Sequence, residues 1–142
     1  MQKKDLKQLV DLCARHAAFE QSTYDSDQKE EQLGKHLFSD LPRLFCLVVE
    51  KEHRLIGYAT YMKQFSTWDA DEYLYMDCLF LTKASRGCGT GEKLMEKIKE
   101  EGRKAGCSLI QWQTPNTNKR AMKFYERIGA SRKSKERFFL NI

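Results

Sequence analysis

The chain has 142 residues, of which 41% are hydrophobic and 32% are charged, and its formal net charge is +5. This length suits a single domain over residues 1–142 with one core, and the composition excludes an intrinsically disordered chain. No apolar run approaches the roughly 20 residues of a membrane-spanning helix, and no basic-then-apolar leader is present, so we expect a cytoplasmic protein without a membrane anchor.

Cysteines and basic residues exclude further classes. The five cysteines are widely spaced and never form C-x-x-C, which argues against a disulfide framework and a zinc site. Of the three histidines, His16 and His53 have no metal-like spacing with other ligands, so we predict no metal. The basic residues form no dense patch interleaved with aromatics, which argues against nucleic acid as the partner.

The first third of the chain predicts two helices. Leu6, Leu9 and Cys13 recur at helical spacing, which predicts an amphipathic helix over residues 5–17. Asp27 with Glu30 three residues later resembles a capping box, so a second helix is expected to begin there and to end before Pro42.

Three strands are predicted next. Residues 44–50 and 55–62 are apolar runs around a polar turn, typical of an antiparallel hairpin. The polar residues 63–72, which include Trp68, are expected to form a loop. Residues 73–81 form the third run, which is apolar on both faces as in a central strand.

A glycine-containing turn follows this third strand and precedes a helical pattern over residues 91–105. It contains Arg-x-x-Gly-x-Gly at Arg86, Gly89 and Gly91, whereas Glu92 replaces the third glycine of the dinucleotide-binding fingerprint. The free amides and the dipole at a helix start bind phosphate. We therefore interpret the turn as a pyrophosphate site, with an ordinary strand-to-helix turn as the alternative.

The remaining elements are a short strand over 109–113, a helix over 119–128 and a weakly alternating final strand over 137–142. Glycines at 106 and 129 stand where C-terminal helix caps are expected. The predicted order is thus two helices, three strands, helix, strand, helix, strand. A strand, a crossover helix and a strand predict a parallel pair beside the glycine turn.

Two motifs together resemble those of the GCN5-related N-acetyltransferases. The first is the glycine turn, and the second is the run 118–130, NKRAMKFYERIGA, which is similar to the family pattern N-x-x-A-x-x-F-Y-x-x-x-G-A. Within the family, the run 73–130 is most similar to the polyamine and diamine (spermidine/spermine-type) acetyltransferases and their thialysine-acetylating relatives.

The resemblance implies an α/β (α+β) fold: a mixed, mostly antiparallel sheet, a splayed parallel pair at the acetyl-CoA site and helices on both faces. The family's usual first strand is expected to be short or absent, since only residues 1–4 precede the first helix. Related proteins are often dimers, so a homodimer is expected.

The resemblance also implies acetyl-CoA as cosubstrate, held mostly by main-chain groups. Arg86 would add charge, and Cys88 is interpreted as a small filler without activation. The implied cofactor-binding residues lie on the third strand, in the glycine turn and at the start of the last helix: Leu79, Phe80, Leu81, Arg86, Gly87, Cys88, Gly89, Thr90, Gly91, Glu92, Asn118, Arg120 and Ala121.

Two residues are the implied catalytic groups. Tyr125 matches the family tyrosine that protonates the departing thiolate, with simple packing of an aromatic ring as the alternative. Asp77 matches a glutamate that helps to take the proton of the amine, and the alternatives are that it only binds the ammonium group or that it faces solvent near a split in the sheet. A carboxylate in an apolar strand is costly unless it is paired or used.

For the acceptor, His16, Glu20, Tyr24, Trp68 and Asp77 are the expected binding residues. Carboxylates beside aromatics suit an aliphatic cation. The predicted reaction is direct acetyl transfer to a primary amine of a small molecule, such as a diamine, a polyamine or a lysine analogue. A protein amino group as acceptor and a non-catalytic acyl-CoA-binding module remain the alternatives.

Overall fold

Four strands form one mixed sheet with the order β1-β2-β3-β4. The computed structural model describes all residues from Met1 to Ile142. β1 pairs antiparallel with β2, β2 pairs antiparallel with β3, and β3 pairs parallel with β4. The strand bounds are β1 Phe45–Lys51, β2 Arg54–Ser66, β3 Asp71–Leu81 and β4 Ile110–Trp112.

Four α-helices cover the two faces of this sheet. Their bounds are α1 Leu6–Phe19, α2 Lys29–Leu37, α3 Thr90–Lys104 and α4 Lys119–Arg127, and single 3₁₀ turns occupy Lys3–Asp5 and Lys83–Ser85. The helical periodicity of α1 turns Leu9 and Leu12 inward, onto Tyr58 and Phe80 of the sheet. On the opposite face, α3 buries Leu94, Met95 and Ile98 against Leu74 and Met76. Each such buried side chain contributes about 1.5–3 kcal/mol.

A β-bulge and an early parting of strands shape one corner of the sheet. Thr60 lies opposite Cys78 and Tyr61 lies opposite Met76, so Asp77 is the extra residue of β3. β4 pairs only with Leu74–Met76, which leaves the rest of β3 without a partner on that side. The C-terminal end of β3 is therefore open toward α4.

The predicted fold class is confirmed. The sheet is mixed, its parallel pair β3–β4 joins through α3, and helices lie on both faces. Gly106 and Gly129 follow α3 and α4 with φ of 76° and 90°, the left-handed conformation expected after a helix end. No strand precedes α1.

The predicted loop over residues 63–72 is wrong. β2 continues to Ser66 and β3 begins at Asp71, so a long hairpin closes with a turn over residues 67–70. Polar residues there pair across the hairpin, as the salt bridge between Lys63 and Glu72 shows. Cross-strand pairing is invisible to local polarity, because an exposed strand end carries the same residues as a loop.

The final strand over 137–142 is not formed, and these residues are exposed without strand pairing. A short alternating run becomes a strand only when a neighbouring strand takes up its main-chain groups. The capping box at Asp27 and Glu30 is also wrong: α2 begins after Gln28, which has φ of 57° and makes no side-chain cap. Asp27 instead donates its amide to Asp25 in a local turn, at 2.9 Å.

Candidate active site

The glycine turn is built around two residues with left-handed backbone. Gly87 has φ of 87° and Gly89 has φ of 79°, and a Cβ at either position would meet no atom within 4 Å. The glycines are therefore required by backbone conformation and not by internal packing. Gly91 differs, because its Cβ would lie 3.2 Å from the ring of Phe124, so α3 and α4 approach closely here.

Main-chain amides of this turn have no main-chain acceptors. The turn and cap hydrogen bonds include Lys93 donating to Gly89, but none takes up an amide from Gly87 to Glu92. Gly89 is the N-cap of α3 and has no side chain to satisfy the first helical amides. The amides of Cys88 and Thr90 hydrogen bond the thiol of Cys88, and those of Gly87, Gly89, Gly91 and Glu92, at the positive end of a 15-residue helix, form a site for an anion.

Arg86 is held below this turn. Its Nε donates to the carbonyl of Leu81 at 2.8 Å, and its guanidinium lies 4.3 Å from the ring centroid of Phe19. Burial and then the charge of Arg120 lower its pKa, yet a guanidinium remains charged at neutral pH. Arg86 thus ties the end of β3 to the end of α1, and it is not a freely solvated surface residue.

Cys88 is not the small filler that the sequence suggested. Its side chain is exposed and lies 3.2 Å from the hydroxyl of Thr90 and 3.3 Å from the carbonyl of Ser85. Hydrogen bonds from the hydroxyl and amide of Thr90 lower the pKa of the thiol. A lowered pKa and exposure to solvent both favour reaction of a thiol. The surroundings of Cys88 therefore favour its reactivity, contrary to the prediction.

The other predicted cofactor residues line the same corner. Phe80 and Leu81 are buried and Leu79 is half-buried, at the end of β3 that has no β4 partner. Asn118 caps α4 by accepting the amide of Ala121 at 3.1 Å, so this side-chain oxygen serves the helix. The structure brings most of the predicted set together: Leu79, Phe80, Leu81, Arg86, Gly87, Cys88, Gly89, Thr90, Gly91, Glu92 and Arg120.

Tyr125 lies where β4 parts from β3. Its ring meets Trp112 of β4 edge-on, with 4.9 Å between the ring centroids. Burial, followed by the charges of Glu20 and Cys78, raises the pKa of Tyr125 to about 12. The phenol therefore carries its proton at neutral pH and is able to donate it.

Asp77 is exposed, contrary to the expectation of a carboxylate inside an apolar strand. As the extra residue of the bulge, it is turned out of the regular alternation of β3. Its charge nevertheless reaches the interior: after burial, it helps to raise the pKa of Cys13 and Cys78, and it opposes the lowering of the pKa of His16 by burial. The thiol of Cys78 lies 3.7 Å from its Oδ2.

Three of the predicted acceptor residues cluster at the end of α1. His16 is 14% exposed at its side chain and lies 3.5 Å from the carboxylate of Glu20. Burial, followed by Cys13, with which its hydroxyl forms a hydrogen bond, and by Cys78, raises the pKa of Tyr24 to about 12. Trp68 is 97% exposed on the hairpin turn. Asp77 lies six residues into β3 beyond this turn, which corresponds to about 20 Å of strand, so Trp68 does not join the cluster.

The corner thus combines an anion site at a helix start, an open strand edge, a protonated phenol and carboxylates. Residues 6–130 match the model of the acetyltransferase (GNAT) family. The chain belongs to the GNAT acetyltransferase family. Its activity is therefore of the acetyltransferase class, transferring an acetyl group to an amine.

Individual GNAT relatives agree with this assignment. Thialysine N-epsilon-acetyltransferase of Bos taurus is 28% identical over 134 residues, which cover 89% of this chain and 78% of that protein. Spermidine/spermine N(1)-acetyltransferase-like protein 1 of Homo sapiens is 22% identical over 133 residues, which cover 89% of this chain and 19% of that protein.

Solved structures share the same GNAT fold. An aminoglycoside N-acetyltransferase in complex with CoA superposes with a TM-score of 0.83, over 99% of this chain and 91% of that one. The sequence identity is 17%, so this likeness shows the fold alone.

Some contacts in this GNAT site were not foreseen from the sequence. Tyr58 is almost fully buried, and its hydroxyl lies 3.0 Å from Nδ1 of His16. Phe19 and Phe80 flank Arg86, and Arg127 pairs with Glu92 at 2.8 Å. The only sequence signal for Tyr58 is a hydroxyl within an apolar strand, since buried polar groups need partners.

The GNAT chain has neither a cluster of metal ligands nor a helix suited to a membrane. No group of three or more His, Cys, Asp or Glu residues has the arrangement of a metal site. No helix combines the length and the apolar character that crossing a membrane requires.

Proposed function

We propose that the protein transfers an acetyl group from acetyl-CoA to the primary amine of a small cationic molecule, such as a diamine, a polyamine or a lysine analogue. The observation that carries this proposal is the set of amides between Gly87 and Glu92 that have no main-chain acceptor, next to the unpaired end of β3. These groups suit a pyrophosphate and an extended acyl-carrier arm, respectively.

Acetyl-CoA supplies an activated acetyl thioester. In the proposed site, Gly87–Glu92 bind its pyrophosphate, and the free edge at Leu79–Leu81 aligns its arm like an added strand. Arg120 lies at the same corner, since its charge lowers the pKa of Arg86. Alignment of the two reactants supplies much of the rate, because it converts a bimolecular reaction into an intramolecular one.

The chain's own residues handle the protons. An alkylammonium has a pKa of about 10, so it must lose a proton before its nitrogen attacks the carbonyl carbon. Asp77, through water, accepts that proton in our proposal. As the C–N bond forms and the C–S bond breaks, Tyr125 donates its phenolic proton to the sulfur, and the second proton that the nitrogen loses on becoming an amide returns to Tyr125 through water. The proton on Asp77 passes to solvent, so the net products are the amide, the free thiol and one proton.

The acceptor is proposed to be small and cationic because Glu20 and Asp77 face the same corner. The charges of both carboxylates affect the pKa of His16, and the charge of Glu20 also affects the pKa of Tyr125. The thialysine-acetylating relative, which covers most of this chain, supports an aliphatic amine. Trp68 remains a predicted acceptor residue only for a ligand long enough to reach the hairpin turn.

An amine panel with acetyl-CoA tests the function. Diamines, spermidine, thialysine, lysine and a peptide with a free amino terminus are each incubated, and products are identified by mass spectrometry. Thiol reagents are avoided because exposed Cys88 would react with them. Acetylation of small cations is the expected result. Acetylation of the peptide alone would favour a protein acceptor, and thermal stabilisation by acetyl-CoA without any product would favour a non-catalytic module.

We further propose a homodimer in the cytoplasm. Phe138, Phe139, Leu140 and Ile142 are more than 80% exposed, and a second copy offers apolar partners and strand edges. Five free cysteines suit a reducing compartment. Sedimentation at several concentrations tests the dimer: a chain that stays monomeric at high micromolar concentration contradicts it.

A further inference from the structure

His16 lies between Tyr58 of the core and Glu20 on the acceptor side of the site, with a hydrogen bond to the first and an ion-pair contact to the second. Its Nδ1 lies 3.0 Å from the hydroxyl of Tyr58, and its Nε2 lies 3.5 Å from Oε1 of Glu20. The ring is stacked on Phe80, with 5.0 Å between the centroids. The imidazole is therefore held between a buried hydroxyl and an accessible carboxylate.

The direction of the protons in this row of three side chains follows from its two ends. Burial raises the pKa of Tyr58 strongly, so its hydroxyl keeps its proton and is able to donate it to Nδ1. An ionised Glu20 has only lone pairs to offer, so it requires a donor at Nε2. The arrangement that satisfies both ends is a neutral imidazole with its proton on Nε2.

The groups around the imidazole favour this neutral form. Burial lowers the pKa of His16, and the positive charge of Arg86, after β3, acts in the same direction. Glu20 on α1 and Asp77 on β3 oppose this shift, while Tyr58 on β2 and Phe80 on β3 bring no charge. With His16 neutral, no imidazolium offsets the carboxylates of Glu20 and Asp77, and Arg86 is the positive charge that acts on the same ring.

We propose that Tyr58 and His16 are positioning residues, which hold the Glu20 carboxylate in place as the anchor for the ammonium group of the acceptor. This inference rests on the proposed function and assigns the acceptor side to a cation. We call the contacts from Tyr58 to His16 and from His16 to Glu20 the tether. Without the tether, the side chain of Glu20 at the end of α1 is solvated and free to change its rotamer. Fixing it beforehand avoids the entropy cost of ordering it when the amine binds.

Kinetics of four variants test the tether. In Tyr58→Phe and His16→Ala, we expect KM for the amine to rise about tenfold, as for the loss of a hydrogen bond to a charged group, while KM for acetyl-CoA stays unchanged. His16→Gln can accept from Tyr58 and donate to Glu20, so it should restore most of the affinity. In a Glu20→Gln background, His16→Ala should have little further effect.

Tyr61→Phe is the matched control. This tyrosine is also buried on β2, but its hydroxyl faces Glu101 on the opposite face of the sheet, at 3.4 Å. It should leave both KM values unchanged. Additive effects of His16→Ala and Glu20→Gln, or an unchanged amine KM in Tyr58→Phe, would overturn the tether.

Nitrogen-15 NMR of His16 gives a readout that does not depend on activity. At pH 7.5, we expect the neutral tautomer with the proton on Nε2, and a partial loss of this preference in Tyr58→Phe. A proton on Nδ1 would overturn the inference even in an active enzyme. Conversely, an enzyme inactive on every amine but with the expected tautomer would refute the proposed function and leave the tether standing.

Discussion

Tyr125 shows how a residue obtains a chemical role from its surroundings. The ring is packed on Trp112, as any buried aromatic would be, yet burial, followed by the charges of Glu20 and Cys78, raises the pKa of its hydroxyl to about 12. Packing and chemistry are therefore combined in one side chain. A phenol that holds its proton this firmly stays an acid across the working range of an amine acetyltransferase.

Replacing Tyr125 by Phe should lower kcat by about 100-fold, because the ring packing is kept and only the proton donor is lost. Thermal stabilisation by acetyl-CoA should be unchanged. In the wild-type enzyme, ionisation of Tyr125 should cause no fall in kcat below about pH 11. Steady-state kinetics from pH 7 to pH 10 measure both effects, with Tyr73→Phe on the hairpin as control. Full activity of Tyr125→Phe would remove this residue from the mechanism.

Cys88 should be the first of the five cysteines to be alkylated. It is exposed and its thiol pKa is lowered, whereas burial raises the pKa of Cys13, Cys46 and Cys78. Timed iodoacetamide labelling with peptide mass spectrometry at pH 7.5 checks this order. Acetyl-CoA should slow the labelling, since the thiol lies within the proposed pyrophosphate loop. Equal rates at Cys88 and buried Cys107 would contradict the assignment.

At the scale of elements, close approach of β2 and β3 supports the open end of β3. A Cβ at Gly57 would lie 2.8 Å from the carbonyl oxygen of Phe80 and would overlap the side chain of Leu81. Both residues belong to the edge proposed to align the acyl carrier. The glycine therefore matters for packing rather than for backbone conformation.

Gly57→Ala should destabilise the protein by about 1–3 kcal/mol, because backbone cannot yield as a flexible side chain does. Gly102→Ala, within α3, is the matched control, because its Cβ would make ordinary contacts at 3.8–3.9 Å. That change should stabilise by about 0.5–1 kcal/mol, because alanine loses less entropy than glycine on folding into a helix. Urea denaturation compares the two, and similar effects of both changes would refute this packing argument.

For the whole molecule, the pH dependence of stability reports on how α1 is seated on the sheet. The folded pKa of His16 is lowered by burial, so below its unfolded value the unfolded chain binds more protons than the folded one. Stability linked to His16 is accordingly kept above about pH 6.5 and lost as the pH falls through the lowered folded pKa.

His16→Gln should therefore lose less unfolding free energy than the wild type between pH 7 and pH 5. Urea denaturation at the two pH values measures the difference. His53→Gln is the control, because the imidazole of His53 is fully exposed. A wild-type loss no larger than that of His16→Gln would show that protonation of His16 costs the fold nothing.

Some features were determined by the sequence alone. Helical periodicity located α1, α3 and α4, because each helix carries its own apolar stripe and its own terminal signals. The glycine turn and the motif with Tyr125 could be recognised in the sequence for a similar reason, because positive φ and helix starts are local properties of a few adjacent residues. These two motifs were enough to predict the family and the confirmed fold class.

Other features were decided only by tertiary structure, because they depend on residues far apart in the chain. The extension of the β2–β3 hairpin, the unpaired residues 137–142 and the exposure of Asp77 all follow from which strand lies beside which. The contact of Tyr58 with His16 joins residues 42 positions apart, and the activation of Cys88 depends on how the turn folds over it. Local patterns state which groups are present, whereas strand pairing and packing set the distances at which those groups act.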